Sequence, residues 1–254
     1  MLEVDLTLPD GVLVDHHDRA LRAALAPTGA IWFAMWSDTL SGNLDVPTQL
    51  VPFAGSDVPA RQAKPNEGHA KLTEYLGRRV LTGTTGTNCG FCTEKVISDA
   101  TKFTIAVIYA TPRDEARTLL TVNPVEGSNY LFVSDFEAQL SAKDNKNTVD
   151  LTLDAALPSE QYRVAIVSCA GADVFLQRNQ EAIVHEQGKL PEMSGAADLF
   201  IGCRSDRSGL MKTLGGACIA DVIVWPDRSV LDSFRGDDIA AREALMEYFH
   251  WVYG

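Results

Sequence analysis

Long apolar runs are missing from this 254-residue chain. No stretch approaches the roughly 20 consecutive apolar residues that a membrane-spanning helix needs. Residues 1–21 hold no basic segment followed by an apolar one, so no secretory signal is read there, and synthesis in a cytoplasm is expected. Positive charge is scarce: 22 Lys and Arg face 34 Asp and Glu, a net charge of −12. Such a surface repels phosphate backbones and anionic lipid, which sets aside nucleic acid as a main partner and argues against membrane insertion. Cysteine is sparse and odd in number, five in all, and a disulfide framework does not fit an odd count without a secretion signal.

Catalytic signatures are absent too. There is no Gly-x-Ser-x-Gly elbow, no His-Glu-x-x-His and no phosphate-binding glycine loop. Nor is there a Glu-x-Asp-x-Glu strand, whose period of two would put three carboxylates on one face. Asp150 and Asp154 come nearest, with Thr152 between them; they read as a solvent face opposite Leu151 and Leu153. Asp135 and Glu137 flank Phe136 at an expected hairpin turn and read as solvated. Cys89 and Cys92 form a Cys-x-x-Cys, but zinc needs two further ligands at comparable spacing and a redox pair normally opens a helix. Cys169, Cys203 and Cys218 fall in or beside expected strands and read as small buried hydrophobes. Of the oxygens able to serve calcium, Asp38, Asn43 and Asp45 stand close in sequence, without a dense oxygen loop. No cofactor and no metal site are expected.

What the chain does have is turn-punctuated apolar alternation. Short strands are expected at 30–36, 79–81, 103–110, 118–122, 129–134, 137–141, 148–153, 162–168 and 174–178, separated by Pro, Gly, Asn and Asp. Many short strands with little helix argue for an all-β fold, a sandwich or jelly roll. Residues 43–78 are proline-rich and polar, with a short helix expected over 66–76. Residues 1–28 look like an appendage: Leu2, Val4, Leu6 and Leu8 alternate before Pro9, and a short helix carries Leu21 and Leu25 on one face up to Pro27. Such a helix needs a partner surface. The chain is therefore divided into an attachment or oligomerisation segment, 1–28, and one domain, 29–254.

The last sixty residues are the most informative. Phe200-Ile201-Gly202 closes a short strand. Ile219, Asp221, Ile223 and Trp225 alternate with Ala220, Val222 and Val224 up to Pro226. A helix from 238 to 251 then puts Ala241, Leu245, Tyr248 and Phe249 toward the sheet. With 103–109 and 174–180, these segments stand in an order that resembles a laminin-G-like domain of the concanavalin A-like lectin and glucanase superfamily. That resemblance implies an antiparallel β-sandwich, a concanavalin A-like jelly roll, with a C-terminal helix and a short N-terminal extension. It also implies glycan binding, which only some branches of the superfamily extend to cleavage.

Glycan recognition needs aromatic faces for sugar C–H surfaces and planar polar groups for hydroxyl pairs. Trp36, Tyr109, Asn129, Tyr130, Arg204, Asp206, Arg207 and Lys212 are the candidate carbohydrate-binding residues, with the charged hairpin 204–208 foremost; Trp32 and Trp225 read as core. The layout resembles head spikes or tail fibres of tailed bacteriophages and of phage-derived gene transfer agents. On that resemblance the partners are host surface or capsular polysaccharide, other particle proteins through residues 1–28, and further copies of the chain in a virion-like particle. A purely structural assembly subunit and a glycoside hydrolase stay open as alternatives.

Overall fold

The computed structural model describes residues 21–36, 41–43, 46–66, 70–111, 117–154, 160–190, 193–206 and 214–254. Numbered along the chain, the strands are β1 (Ile31–Ala34), β2 (Ser41–Asn43), β3 (Val46–Leu50), β4 (Ala60–Gln62), β5 (Lys71–Tyr75), β6 (Arg78–Thr82), β7 (Phe91–Ile97), β8 (Lys102–Ala110) and β9 (Arg117–Pro124). They continue with β10 (Leu131–Phe136), β11 (Gln139–Asp144), β12 (Asp150–Asp154), β13 (Arg163–Ala170), β14 (Asp173–Arg178), β15 (Val184–Glu186), β16 (Ala197–Ile201) and β17 (Cys218–Trp225). One long helix, α1 (Gly236–Tyr253), closes the chain.

The strands form two antiparallel sheets. One runs β15-β14-β13-β8-β17-β6-β5, with β1 also on β17; the other runs β12-β11-β10-β9-β16-β7-β4-β3-β2. Their facing surfaces enclose the main apolar core, with Phe33, Phe91, Phe103, Leu120, Val133 and Leu199 fully or almost fully buried. This is the β-sandwich expected from the alternation. The expected helix over 66–76 is corrected: 71–75 is strand β5, paired residue for residue with β6. Its polar residues are those of an edge strand, where one side faces water.

A second apolar layer covers the outer face of the eight-stranded sheet. Ala241, Leu245, Tyr248 and Phe249 of α1 pack there against Trp32, Ile223 and Trp225, joined by Leu21 and Leu25. Trp32 and Trp225 are completely buried, as their apolar surroundings demanded. The helix starts at Gly236 without a side-chain cap, but Asp237 and Asp238 stand in its first turn, where the exposed N–H groups favour negative charge.

The strand under α1 departs from simple alternation. Pairing between β17 and β8 shifts between Ile219 and Asp221. This bulge turns Ala220 and Asp221 to the helix side together, while Ile219 and Val222 face the other sheet. Asp221 is fully buried and accepts hydrogen bonds from Trp32 Nε1 (2.8 Å), Tyr248 Oη (3.0 Å) and Tyr253 Oη. Burial raises its pKa to about 7 against the pull of these donors and of Arg22. A carboxyl that holds its proton more tightly when folded stabilises the fold most at low pH.

The Asp221 contribution to stability should therefore be lost as pH rises from about 4 to 7, by on the order of 2–4 kcal/mol, whereas that of Asp99, Asp144 and Asp206, held below the ordinary value, is lost as pH falls. Asp221→Asn should flatten that slope in denaturant titrations across pH; a variant with an unchanged slope would place the titration elsewhere. Leu245→Ala should cost about 2–5 kcal/mol, read as a lowered thermal midpoint.

Candidate functional site

α1 covers the outer face of the eight-stranded sheet, while on the outer face of the nine-stranded sheet a small cluster of Ala63, Cys92, Phe200, Cys203 and Leu214 is buried and part of the remainder is open. On β10, Leu131 and Val133 point inward and join the core. Asp135 also points inward and is fully buried. Phe132, Ser134 and Phe136 must then stand on the outer face, by the two-residue period of a strand. Register extends each into a row: Phe132 lies across from Lys143, Ser134 from Ser141 and Phe136 from Gln139. On β12 the same rows continue with Asp150, Thr152 and Asp154.

The rows are tied by side-chain bonds. Gln139 Nε2 donates to Asp154 (2.6 Å), the Ser134 and Ser141 hydroxyls meet at 2.9 Å, and Lys143 pairs with Asp150 at 3.0 Å. The Arg204 guanidinium lies 3.6 Å over the Phe132 ring, and that of Arg117 lies 4.3 Å over Phe136. Arg204 also donates through Nε to Thr118. Phe132, Ser134, Phe136, Gln139, Ser141, Lys143, Asp154 and Arg204, with Glu137, line a groove of about 380 Å³.

One wall of the groove is held by a latch. After β16 the chain folds back over its own sheet, where Thr121 donates to the Cys203 carbonyl. Asp206 takes both terminal nitrogens of Arg61 and the backbone N–H of Lys64. The bidentate pair and the N–H bond hold the Asp206 carboxyl below its ordinary pKa despite partial burial, and the same pairing raises Arg61. Asp206 thus ties the segment that carries Arg204 to Arg61 and Lys64.

The hairpin between β10 and β11 bounds the groove with Glu137. Glu137 and Ala138 both adopt left-handed backbone, φ 53° and 62°, where Asn-Gly is the favoured pair. Two side-chain-bearing residues there store strain beside the groove, a feature concentrated at functional sites.

The structure scatters most of the other sequence candidates. Tyr109 is corrected: it is completely buried, and its hydroxyl donates to Asp135 across the core. Asn129 is corrected likewise, buried with its amide on Asp144. Trp36 lies on the far side of the sandwich, under Arg22 and donating to Tyr248. Tyr130 is half-buried with its ring 6.2 Å from Phe132. Arg207, Lys212, Asp38 and Asp45 fall outside the described residues, as does the side chain of Asn43.

Asp135, read from sequence as solvated, is a buried anchor: its Oδ2 also accepts from Arg163 at 3.0 Å. Sequence reasoning missed Phe132, Phe136, Gln139 and Lys143. Their signal was the strict alternation around Asp135, legible only once that residue is known to face inward.

The Cys-x-x-Cys divides between layers. Cys89 belongs to the core between the sheets, Cys92 to a small outer cluster with Phe200 and Cys203. All five cysteines are free and buried. Burial pushes Cys92 up to about 12 and Cys218 up to about 11, and raises Cys169 and Cys203 as well. Among the described residues no three His, Cys, Asp or Glu side chains could hold a metal ion together. No described helix is long and apolar enough to cross a membrane.

No family model and no curated protein matches this sequence. Solved structures match it in fold. A receptor binding domain superposes with a TM-score of 0.56 at 9% identity, over 92% of this chain and 53% of that chain. The binding domain of botulinum neurotoxin serotype D/C gives 0.55 at 9%, over 85% and 51%. A sialidase of Trypanosoma rangeli gives 0.53 at 12%, over 92% and 39%. The chain thus spans about half the length of the binding domains it matches. At these identities the likeness shows the fold alone.

Thiolate chemistry needs an accessible, low-pKa sulfur. The folded protein should therefore leave its five thiols nearly unreactive toward a disulfide reagent at pH 8, and denaturant should release all five. Rapid labelling of Cys89 or Cys92 in the native state would support the redox chemistry that the sequence disfavours.

Proposed function

We propose that this protein is a non-enzymatic carbohydrate-binding protein whose groove on the nine-stranded sheet recognises a surface polysaccharide. One observation carries the reading: the partly exposed Phe136 ring and the Arg117 and Arg204 guanidinium planes, the latter laid over a buried Phe132, stand beside hydroxyl, amide and carboxylate groups held in registered rows on one rigid face. Sugar rings offer C–H faces to aromatics and hydroxyl pairs to planar polar groups, so this composition suits them. The fold's occurrence in binding domains supports the reading.

The carboxylates fit binding better than bond cleavage. Asp150 and Asp154 are four residues apart on a strand, about 13 Å. Glycosidase pairs stand roughly 5–9.5 Å apart. Each is already engaged, by Lys143 and Gln139. Asp221, the carboxyl raised by burial to about 7, is sealed beneath α1. Within the same proposal, residues 1–28, whose Leu21 and Leu25 pack into the domain's own outer layer, attach the domain to other proteins of a virion-like particle, and the sandwich meets host or capsular polysaccharide. A hydrolase is the second reading, because Glu137 and Asp154 line one groove and a sialidase shares the fold.

A glycan array should return a restricted set of polysaccharides. Phe136→Ala and Arg204→Ala should each weaken binding at least tenfold, about 1.4 kcal/mol. Their thermal midpoints should stay close to the parent, since both side chains are only partly buried. Asp206→Ala should weaken binding less, through loss of the latch. Retention of full affinity by Phe136→Ala would remove the groove from the proposal. Reducing-sugar release abolished by Glu137→Gln or Asp154→Asn would replace binding with hydrolysis.

A further inference from the structure

A second opening lies on the opposite side of the sandwich, where the end of α1 meets the β5–β6 turn and the segments flanking β13 and β14. It encloses about 620 Å³, within the range of small-molecule sites. Its apolar wall is aromatic. Tyr162 and Tyr253 meet edge to face at 4.9 Å, and Phe249 stacks on Tyr253 at 6.5 Å. The rings belong to the layer under α1, where all three are largely buried and only their edges reach the cleft. Tyr162 is fixed further by its hydroxyl, which donates to the Tyr75 carbonyl at 2.6 Å.

The rim is polar and mixed. Arg78, 5.8 Å from the Tyr253 ring, brings only donors, and Glu160 brings only acceptors. Gln161 and Gln180 bring both. A purely anionic ligand would meet Glu160 and a purely cationic one Arg78, each at an electrostatic cost. A neutral ring bearing vicinal hydroxyls donates and accepts at every position and offers apolar C–H faces to the aromatic wall. We propose that this cleft is a second binding site, for a neutral saccharide unit, independent of the groove and reached from the other face of the protein.

The cleft can be tested with the whole chain by amide NMR, titrating methyl glycosides of glucose, galactose, mannose and N-acetylglucosamine, with sodium glucuronate as the charged comparison. A neutral glycoside should move the Gln161 and Gln180 side-chain amides and the backbone amides of 249–254 saturably, with a dissociation constant on the order of millimolar, as befits one or two sugar units. The double variant Gln161→Ala/Gln180→Ala, followed through the backbone amides of 249–254, should raise the dissociation constant at least tenfold. Both positions lie on the rim, so a thermal melt matching the parent confirms that the variant is folded. Phe136→Ala, which disables the groove, should leave the cleft titration unchanged; failure of the groove and failure of the cleft are therefore separate results. The proposal is overturned if no neutral glycoside moves these resonances up to about 50 mM, if glucuronate alone does, or if the double variant binds as the parent does.

Discussion

The inward orientation of Asp135 decides which face of β10 meets solvent. Both phases of that strand are apolar: Leu131 and Val133 on one, Phe132 and Phe136 on the other. Hydrophobicity alone would tolerate either set in the core, and a slip of one residue would exchange them. The carboxylate resolves the choice. Once inside, it must be paired, because an isolated buried charge costs several kcal/mol. Arg163 and Tyr109, both from the opposing sheet, supply the partners. With one carboxylate bound across the seam, Phe132, Ser134 and Phe136 have only the outer face left. Such a pair adds little net stability compared with a well-packed apolar substitute, and its use here is to set register.

A second buried carboxyl performs a related task at the other seam. The β17 bulge aims Asp221 away from the sheet–sheet core and into the layer beneath α1, where Trp32, Tyr248 and Tyr253 converge on it. Aromatic residues with one polar atom suit this position, since the rings fill the apolar layer while the hydroxyl or indole N–H meets the acceptor. The two seams together account for the placement of the openings. With α1 on the eight-stranded sheet, the groove lies on the part of the nine-stranded sheet that the segment after β16 leaves uncovered, and the covering helix ends at the cleft beside Tyr253.

These choices separate what could be read in the sequence from what could not. The strands from 103 onward and the helix face bearing Leu245 and Phe249 follow from periodicity, which depends on neighbours in the chain. The apolar environment of Trp32 and Trp225 follows from their flanking residues. Asp135 and Asn129 follow from no local pattern, because their partners lie across the core or beyond a turn. An acid beside a hairpin reads as solvated unless an arginine from another sheet is known to meet it. Tyr109 misled for the same reason: its ring near a strand end suggested a sugar contact, and the partner that lets its hydroxyl be buried is 26 residues away. Strand β7 was not read from the sequence, because Cys92-Thr93-Glu94-Lys95 breaks the apolar alternation that marks the other strands. Of the groove, Arg204 and Asp206 were legible as a charged loop. The rows they close were not, because a row is a property of register rather than of sequence.

The form of the groove also bears on how the proposed recognition would operate. A shallow face on a sheet contacts a few sugar units and excludes water incompletely, so most of its polar contacts exchange one set of hydrogen bonds for another and yield little net free energy. Rigidity offsets part of this, because Arg204 and Arg117 are already stacked and the rows are already bonded before a ligand arrives. The remainder would have to come from repetition. A polysaccharide repeats its epitope, and copies of the domain held close together convert later contacts into intramolecular ones at high effective concentration. An attachment segment at residues 1–28 that gathers copies would then be as much a part of recognition as the groove, since weak and numerous contacts favour a dense repetitive surface over a single soluble sugar.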